Sequence, residues 1–105
     1  MNLLRWLNKW YISNCSDEWE HLYGVKIYTL DNPGWSVKID LLGTDMEDIS
    51  FDEISIYNSE SDWIICRVKE DVFDGGGVGS YDLEAIIKIF YNWVTINSSN
   101  PESLR

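Results

Sequence analysis

The stretch Asp31-Asn32-Pro33-Gly34-Trp35-Ser36-Val37-Lys38-Ile39-Asp40-Leu41 is the clearest structural signal in the chain. Its first four residues are turn formers, because proline presets φ and glycine adopts φ > 0 without steric cost. From Trp35 onward Trp35, Val37, Ile39 and Leu41 alternate with Ser36, Lys38 and Asp40. Period-two alternation of this kind describes a half-buried strand with one polar face. Upstream, Val25 and Ile27 alternate with Lys26 and Tyr28 and run into the same turn, so the two segments form a hairpin. Gly43-Thr44-Asp45 ends its second strand.

Working outward, a third strand falls within residues 49–57, where Ile54 and Ile56 alternate with Glu53 and Ser55. Asn58-Ser59-Glu60-Ser61 reads as a turn and Trp63 to Val68 as a fourth strand. Its Trp-Ile-Ile-Cys run is apolar on both faces, the pattern of a central or helix-covered strand. Phe73-Asp74-Gly75-Gly76-Gly77-Val78-Gly79 reads as a glycine-rich loop. Near the start, Leu3, Leu7, Trp10 and Tyr11 have helical spacing, with Trp6 at the margin of the stripe. A last helix takes Ser80 as N-cap, Asp82 and Glu84 in or near its first turn, and Leu83, Ile86, Ile87, Phe90 and Val94 as its core face. The expected fold is α+β: a single two-layer domain with an N-terminal helix, a four-stranded antiparallel meander and a C-terminal helix. It spans residues 1–97, with 98–105 expected to be a mobile tail.

The 105 residues allow one domain. Area scaling gives a folded surface of about 6,100 Å² against about 17,800 Å² for the unfolded chain, enough burial for one modest core. With 45% hydrophobic and 14% aromatic residues, the chain is not disordered as a whole. Its formal net charge of −10 disfavours binding to nucleic acid or an anionic membrane. Two cysteines cannot make a disulfide scaffold, and they fit a reducing compartment at least as well as an oxidising one. No apolar run is long enough to span a membrane, and Met1-Asn2-Leu3-Leu4-Arg5-Trp6 lacks the charged and apolar regions of a signal peptide. The expectation is a small, soluble, cytoplasmic domain.

Candidate chemistry is sparse. Cys15, Asp17, Glu18, Glu20 and His21 lie close together, but His21 is the lone histidine and no zinc-type frame surrounds it. The bland reading has Trp19 packing while Glu20 and His21 bond to nearby backbone. Cys66 sits inside an apolar strand as inert filler, and the acids after Cys15 do not favour a thiolate. The glycine-rich segment lacks the spacing of either phosphate-binding motif, and no nucleophile elbow accompanies His21. No enzyme, metal or cofactor is expected.

Charge patterning remains. Between Lys38 and Arg67 there is no base, while Asp40, Asp45, Glu47, Asp48, Asp52, Glu53, Glu60 and Asp62 supply eight acids. Such a stretch is either a solvated face or one negative field that speeds docking of a basic partner. Tyr57 and Trp63 are nearby aromatic anchors of the kind that dominate interfaces, unless Trp63 is core. The candidate partner-binding set is therefore Asp45, Glu47, Asp48, Asp52, Glu53, Tyr57, Glu60 and Asp62.

Trp10-Tyr11, Cys15, Trp19-Glu20-His21, Tyr23-Gly24-Val25 and Thr29-Leu30-Asp31-Asn32-Pro33-Gly34-Trp35 follow one another at close spacing. Together with Ile39-Asp40-Leu41, Gly43-Thr44, Asp62-Trp63, Cys66-Arg67-Val68 and Leu83-Glu84-Ala85-Ile86, they resemble the Immunity protein 53 family of bacterial polymorphic toxin systems. One departure is visible: the family's cysteine is often followed by Asp-Gly and an acid, whereas Cys15 precedes Ser16, Asp17 and Glu18. The resemblance implies a small cytoplasmic protein that binds and blocks a toxin encoded beside it, with nuclease inhibition a second step. It leaves two readings of Trp19-Glu20-His21 and Asp31-Asn32-Pro33-Gly34-Trp35, fold-stabilising or partner-binding. The alternatives from other classes are a small sulfurtransferase using a cysteine and an acidic nucleic-acid mimic. Oligomeric state is left open.

Overall fold

A computed structural model describes residues 1–98, so all of the expected tail except Ser98 lies outside the described residues. Helix α1 (Leu3–Asn14) is followed by the single-turn α2 (Trp19–Leu22), strands β1 (Val25–Leu30), β2 (Gly34–Asp40), β3 (Ile54–Ser59), β4 (Asp62–Lys69) and β5 (Val72–Val78), and helix α3 (Leu83–Ile96). All strand pairs are antiparallel, in the order β1-β2-β5-β4-β3. The α+β two-layer class holds, with five strands where the sequence predicts four.

The added strand is the glycine-rich segment, which is no loop. As β5 it is the middle strand, paired with β2 and β4 over its whole length. Glycine weakens a strand on propensity grounds, but here something sits where side chains would go. A Cβ on Gly75 would lie 2.6 Å from Ile86 Cγ2, and one on Gly77 would lie 2.5 Å from the Tyr81 carbonyl oxygen. Helix α3 and the turn leading into it thus press directly onto bare backbone. Because β5 enters between β2 and β4, the sheet is a β1-β2 hairpin joined to a β3-β4-β5 meander, not one continuous meander.

Both long helices cover one face. Leu7 and Trp10 of α1, and Ile86, Ile87, Phe90, Trp93 and Val94 of α3, pack on Val37, Ile39, Phe73, Ile64 and Cys66 of the sheet. Phe90 is central, with its ring centroid 5.0 Å from Trp10 and 5.1 Å from Phe73. Trp6, marginal in the sequence pattern, closes the helix pair by edge contacts to Phe90 and Tyr91. The N-cap of α3 is Asp82, whose carboxylate accepts from Ala85 N–H at 3.0 Å. Ser80 does not cap the helix, because its N–H and hydroxyl both donate to Asp62.

Residues 41–53 carry the chain from β2 to the far edge of the sheet. Leu41 and Met46 are buried on this path, and Ile49 and Phe51 pack against the same core. Trp93 Nε1–H donates to the Ser50 carbonyl at 2.8 Å, and Trp10 Nε1–H to Asp45 at 3.3 Å. The connection has no regular structure, yet three core aromatics (Trp10, Phe51 and Trp93) fasten it.

Candidate functional site

The two motifs that stand out in the sequence are built into the fold. Trp19 is buried, and its Nε1–H donates to the Leu42 carbonyl at 2.8 Å, tying α2 to the β2–β3 connection. Gly43, at φ +82°, passes beneath that indole. Glu20 accepts from the backbone N–H groups of Ser16 and Asp17, both at 2.9 Å, and so closes the turn before α2. Backbone amides, its own first and then that of Ser16, hold the Glu20 carboxyl below its ordinary value. His21 is exposed beside it.

Asp31, Asn32 and Pro33 form the exposed three-residue loop of the β1–β2 hairpin, with Leu30 paired to Gly34. Trp35 lies half-buried against the core, opposite Gly77 on β5. It also borders an open groove of about 610 Å³ between the starts of α1 and α3, with Leu3, Leu4, Leu83 and Ile87. Two acids line that groove on the α3 side, Asp82 and Glu84, and Asp82 is already used as the helix cap.

The candidate partner-binding residues do not form one patch. Asp45, Glu47, Asp48, Asp52 and Glu53 lie on the β2–β3 connection and at the foot of β3. Glu60 lies in the turn at the other end of β3, seven residues from Glu53, or roughly 20 Å along an extended strand. Asp62 is a structural acceptor: it takes Ser80 N–H at 2.8 Å and Asn58 Nδ2–H at 3.0 Å, pinning the β3–β4 turn to the approach of α3. The Ser80 hydroxyl, then the Ser80 N–H, hold its carboxyl below the usual range. Asp45 and Glu47 are partly committed too, accepting from Trp10 and from Gly43 N–H. Among the described residues the one ion pair within 4 Å is Arg67–Asp74, at 3.7 Å, so none of the acids from 45 to 53 is paired with a base.

Tyr57 belongs to a different surface, which the sequence pattern does not reveal. Register places Leu30, Gly34, Val78, Trp63 and Tyr57 in one row across the sheet face that the helices leave uncovered. The next row is Tyr28, Ser36, Gly76, Ile65 and Ser55. Beyond it come Lys26, Lys38, Asp74 and Arg67, and then Asp40, Val72 and Lys69. One half of this face is aromatic and apolar, the other charged. The double-sided apolar run at Trp63-Ile64-Ile65-Cys66 has its cause here: Ile64 and Cys66 enter the core, while Trp63 and Ile65 belong to the open face.

The two cysteines have different surroundings. Cys66 is fully buried, and burial first, then the charge of Asp74, pushes its thiol up to about 12. Cys15 is partly covered, its Sγ 3.4 Å from the Tyr11 carbonyl oxygen. Among the described residues no three His, Cys, Asp or Glu side chains are grouped so as to hold a metal ion. Among the same residues no helix is long and apolar enough to cross a membrane.

Comparison with known proteins gives one finding. No curated protein and no solved structure matches the chain. A family model, Immunity protein 53, matches residues 4–95, from the first turn of α1 to the last turn of α3. That match takes in both long helices and every strand, so the chain belongs to the Immunity protein 53 family.

Proposed function

We propose that this protein neutralises one cognate bacterial toxin domain by stoichiometric binding in the cytoplasm of the producing cell, without cofactor or turnover. Family membership supports an immunity role and implies a toxin as partner. The observation that carries the mechanism is the set of unpaired carboxylates from Asp45 to Glu53, held on a connection that Trp10, Phe51 and Trp93 fasten to the core. Fixed charges of one sign on a firm segment raise the encounter rate of an oppositely charged partner. A basic toxin surface, such as the substrate cleft of a nuclease, has that charge.

Growth rescue tests the reading. The C-terminal toxin domain encoded by the adjacent upstream gene is expressed in a neutral host with and without this protein. Toxicity cured by the protein supports immunity; toxicity that it cannot cure refutes it. The steering role is tested with D48K/D52K/E53K and the catalytically silenced toxin domain. Association at low salt should slow at least tenfold, and the difference should shrink as added salt shortens the Debye length below about 8 Å. An unchanged association rate removes these acids from the encounter.

A further inference from the structure

The uncovered sheet face is unusual in both halves. Antiparallel sheets with one solvated face normally alternate apolar-in with polar-out. Here Tyr57 is 67% exposed, Tyr28 44% and Ile65 39%, all on the outward side. Trp63 lies among them, its ring edge resting over Gly76. These side chains stand on paired strands, so little order remains to be imposed when a partner covers them. Tyrosine and tryptophan on a rigid scaffold are the residue types that most often carry interface energy.

The charged half opposes the sign of the molecule. Lys26, Lys38, Arg67 and Lys69 are four of the chain's eight Lys and Arg residues, whereas only Asp40 and Asp74 represent its 18 acids. Both acids are engaged, Asp74 with Arg67 and Asp40 with Gly24 N–H at 2.9 Å. Lys26, Lys38 and Lys69 have no acid partner within 4 Å among the described residues. Three of the six described Lys and Arg residues without an acid partner thus stand beside the exposed aromatics of a protein of net charge −10.

From this juxtaposition, and resting on the immunity reading above, we infer that the open sheet face anchors the toxin, whose contacting surface bears carboxylates beside an apolar protrusion. The carboxylates meet Lys26, Lys38 and Lys69, and the protrusion lies across Tyr28, Ile65 and Tyr57. Five strands about 4.8 Å apart and about seven residues long give a footprint on the order of 500 Å², somewhat over half of the about 800 Å² that one partner contributes to a standard interface. Charge complementarity selects this occupant over a second copy of the chain. In a two-fold dimer this face would either oppose cations to cations or bury lysines under the aromatic rows. The acids from Asp45 to Asp52 lie on the connection whose Leu41, Met46, Ile49 and Phe51 pack on the helix-covered core, and act on approach.

The test uses the silenced toxin domain from the adjacent gene and two variants of the full chain, Tyr57→Ala and Lys38→Glu/Lys69→Glu. All three positions are exposed, so thermal melts should stay near that of the parent. Tyr57→Ala should weaken binding at least tenfold through faster dissociation, and the double charge reversal at least 100-fold. Hydroxyl-radical footprinting of the unmutated complex should protect Tyr28 and Tyr57, which requires no variant at all. If the unmutated protein binds while both variants bind within threefold of it, the anchor is elsewhere and the immunity reading survives. If the unmutated protein does not bind the toxin, that reading fails and this one with it. A dimer in sedimentation that Tyr57→Ala converts to monomer would place a second copy on the face and overturn the toxin as its occupant.

Discussion

Substituting Gly75 by alanine tests whether helix α3 rests on bare backbone. The new methyl would sit 2.6 Å from Ile86 Cγ2 and 3.3 Å from both Cys66 Sγ and Phe73 Cε2. Carbon atoms in contact prefer about 3.5–4.0 Å, so the overlap with Ile86 is close to 1 Å. Ile86 is fully buried and cannot swing into solvent. Forcing a methyl into a packed core costs about 1–3 kcal/mol. Restricting the unfolded chain returns about 0.4–1 kcal/mol of that. The net destabilisation centres on about 1.3 kcal/mol, which at about 4–8 °C per kcal/mol lowers the melting midpoint by roughly 5–10 °C. Calorimetry on G75A, I86A and the double variant makes the reasoning specific. I86A alone should cost about 2–5 kcal/mol through the cavity it leaves. In the double variant the methyl introduced at position 75 occupies part of that space, so the cost should fall short of the sum by about 1 kcal/mol or more. A G75A protein that melts at or above the parent temperature would refute the close approach. So would a double variant that is simply additive.

Two further outcomes follow from the ionisable groups. Cys66 should resist alkylation at pH 8 in the folded protein and react at the rate of a free thiol once denatured, because burial pushes its thiol up to about 12; fast native labelling at Cys66 would revive the sulfurtransferase alternative. Asp62 has a folded pKa below its ordinary 3.8, so its contribution is present above that value and is lost as pH falls through the lower folded one. In thermal melts between pH 7 and pH 2, D62N should be less stable than the parent at neutral pH and converge with it in acid, and a gap that stays constant with pH would contradict this.

Much of the fold is legible in the sequence because its signals are local. The Asp31–Pro33 turn and the Trp35–Leu41 alternation give the β1–β2 hairpin, and the apolar stripe of α3 gives the helix that covers it. The strand of glycines is illegible for the opposite reason. What makes residues 75 and 77 glycine is the side chain of Ile86 and the carbonyl of Tyr81, neither of which is local to the strand pattern. Helix α2 is a single turn whose identity rests on Glu20 reaching back to Ser16 and Asp17. Ser80 and Asp82 are both good caps by residue type, and the choice falls to Asp82 because Asp62 consumes Ser80. The same distant partner removes Asp62 from the pool of free acids, which linear charge counting cannot register.

The candidate sites divide along the same line. Residues that form recognisable motifs, such as Trp19, Glu20, Gly34 and Trp35, are largely consumed by packing and turns. On the reading proposed above, recognition is accordingly assigned to residues without a motif: carboxylates on the β2–β3 connection, and the aromatic and cationic rows of the open face. This division separates an immunity protein from a general nucleic-acid mimic. A mimic places its acids where the partner sits, so any protein with a phosphate-binding cleft fits it. On the arrangement proposed here, such a protein would be drawn in by the acids and then meet Lys26, Lys38 and Lys69 at the contact face. A partner that carries only basic residues there is rejected by like-charge repulsion and by the desolvation of lysines left unpaired. The acidic end then governs how fast partners arrive, and the cationic aromatic face decides which one stays.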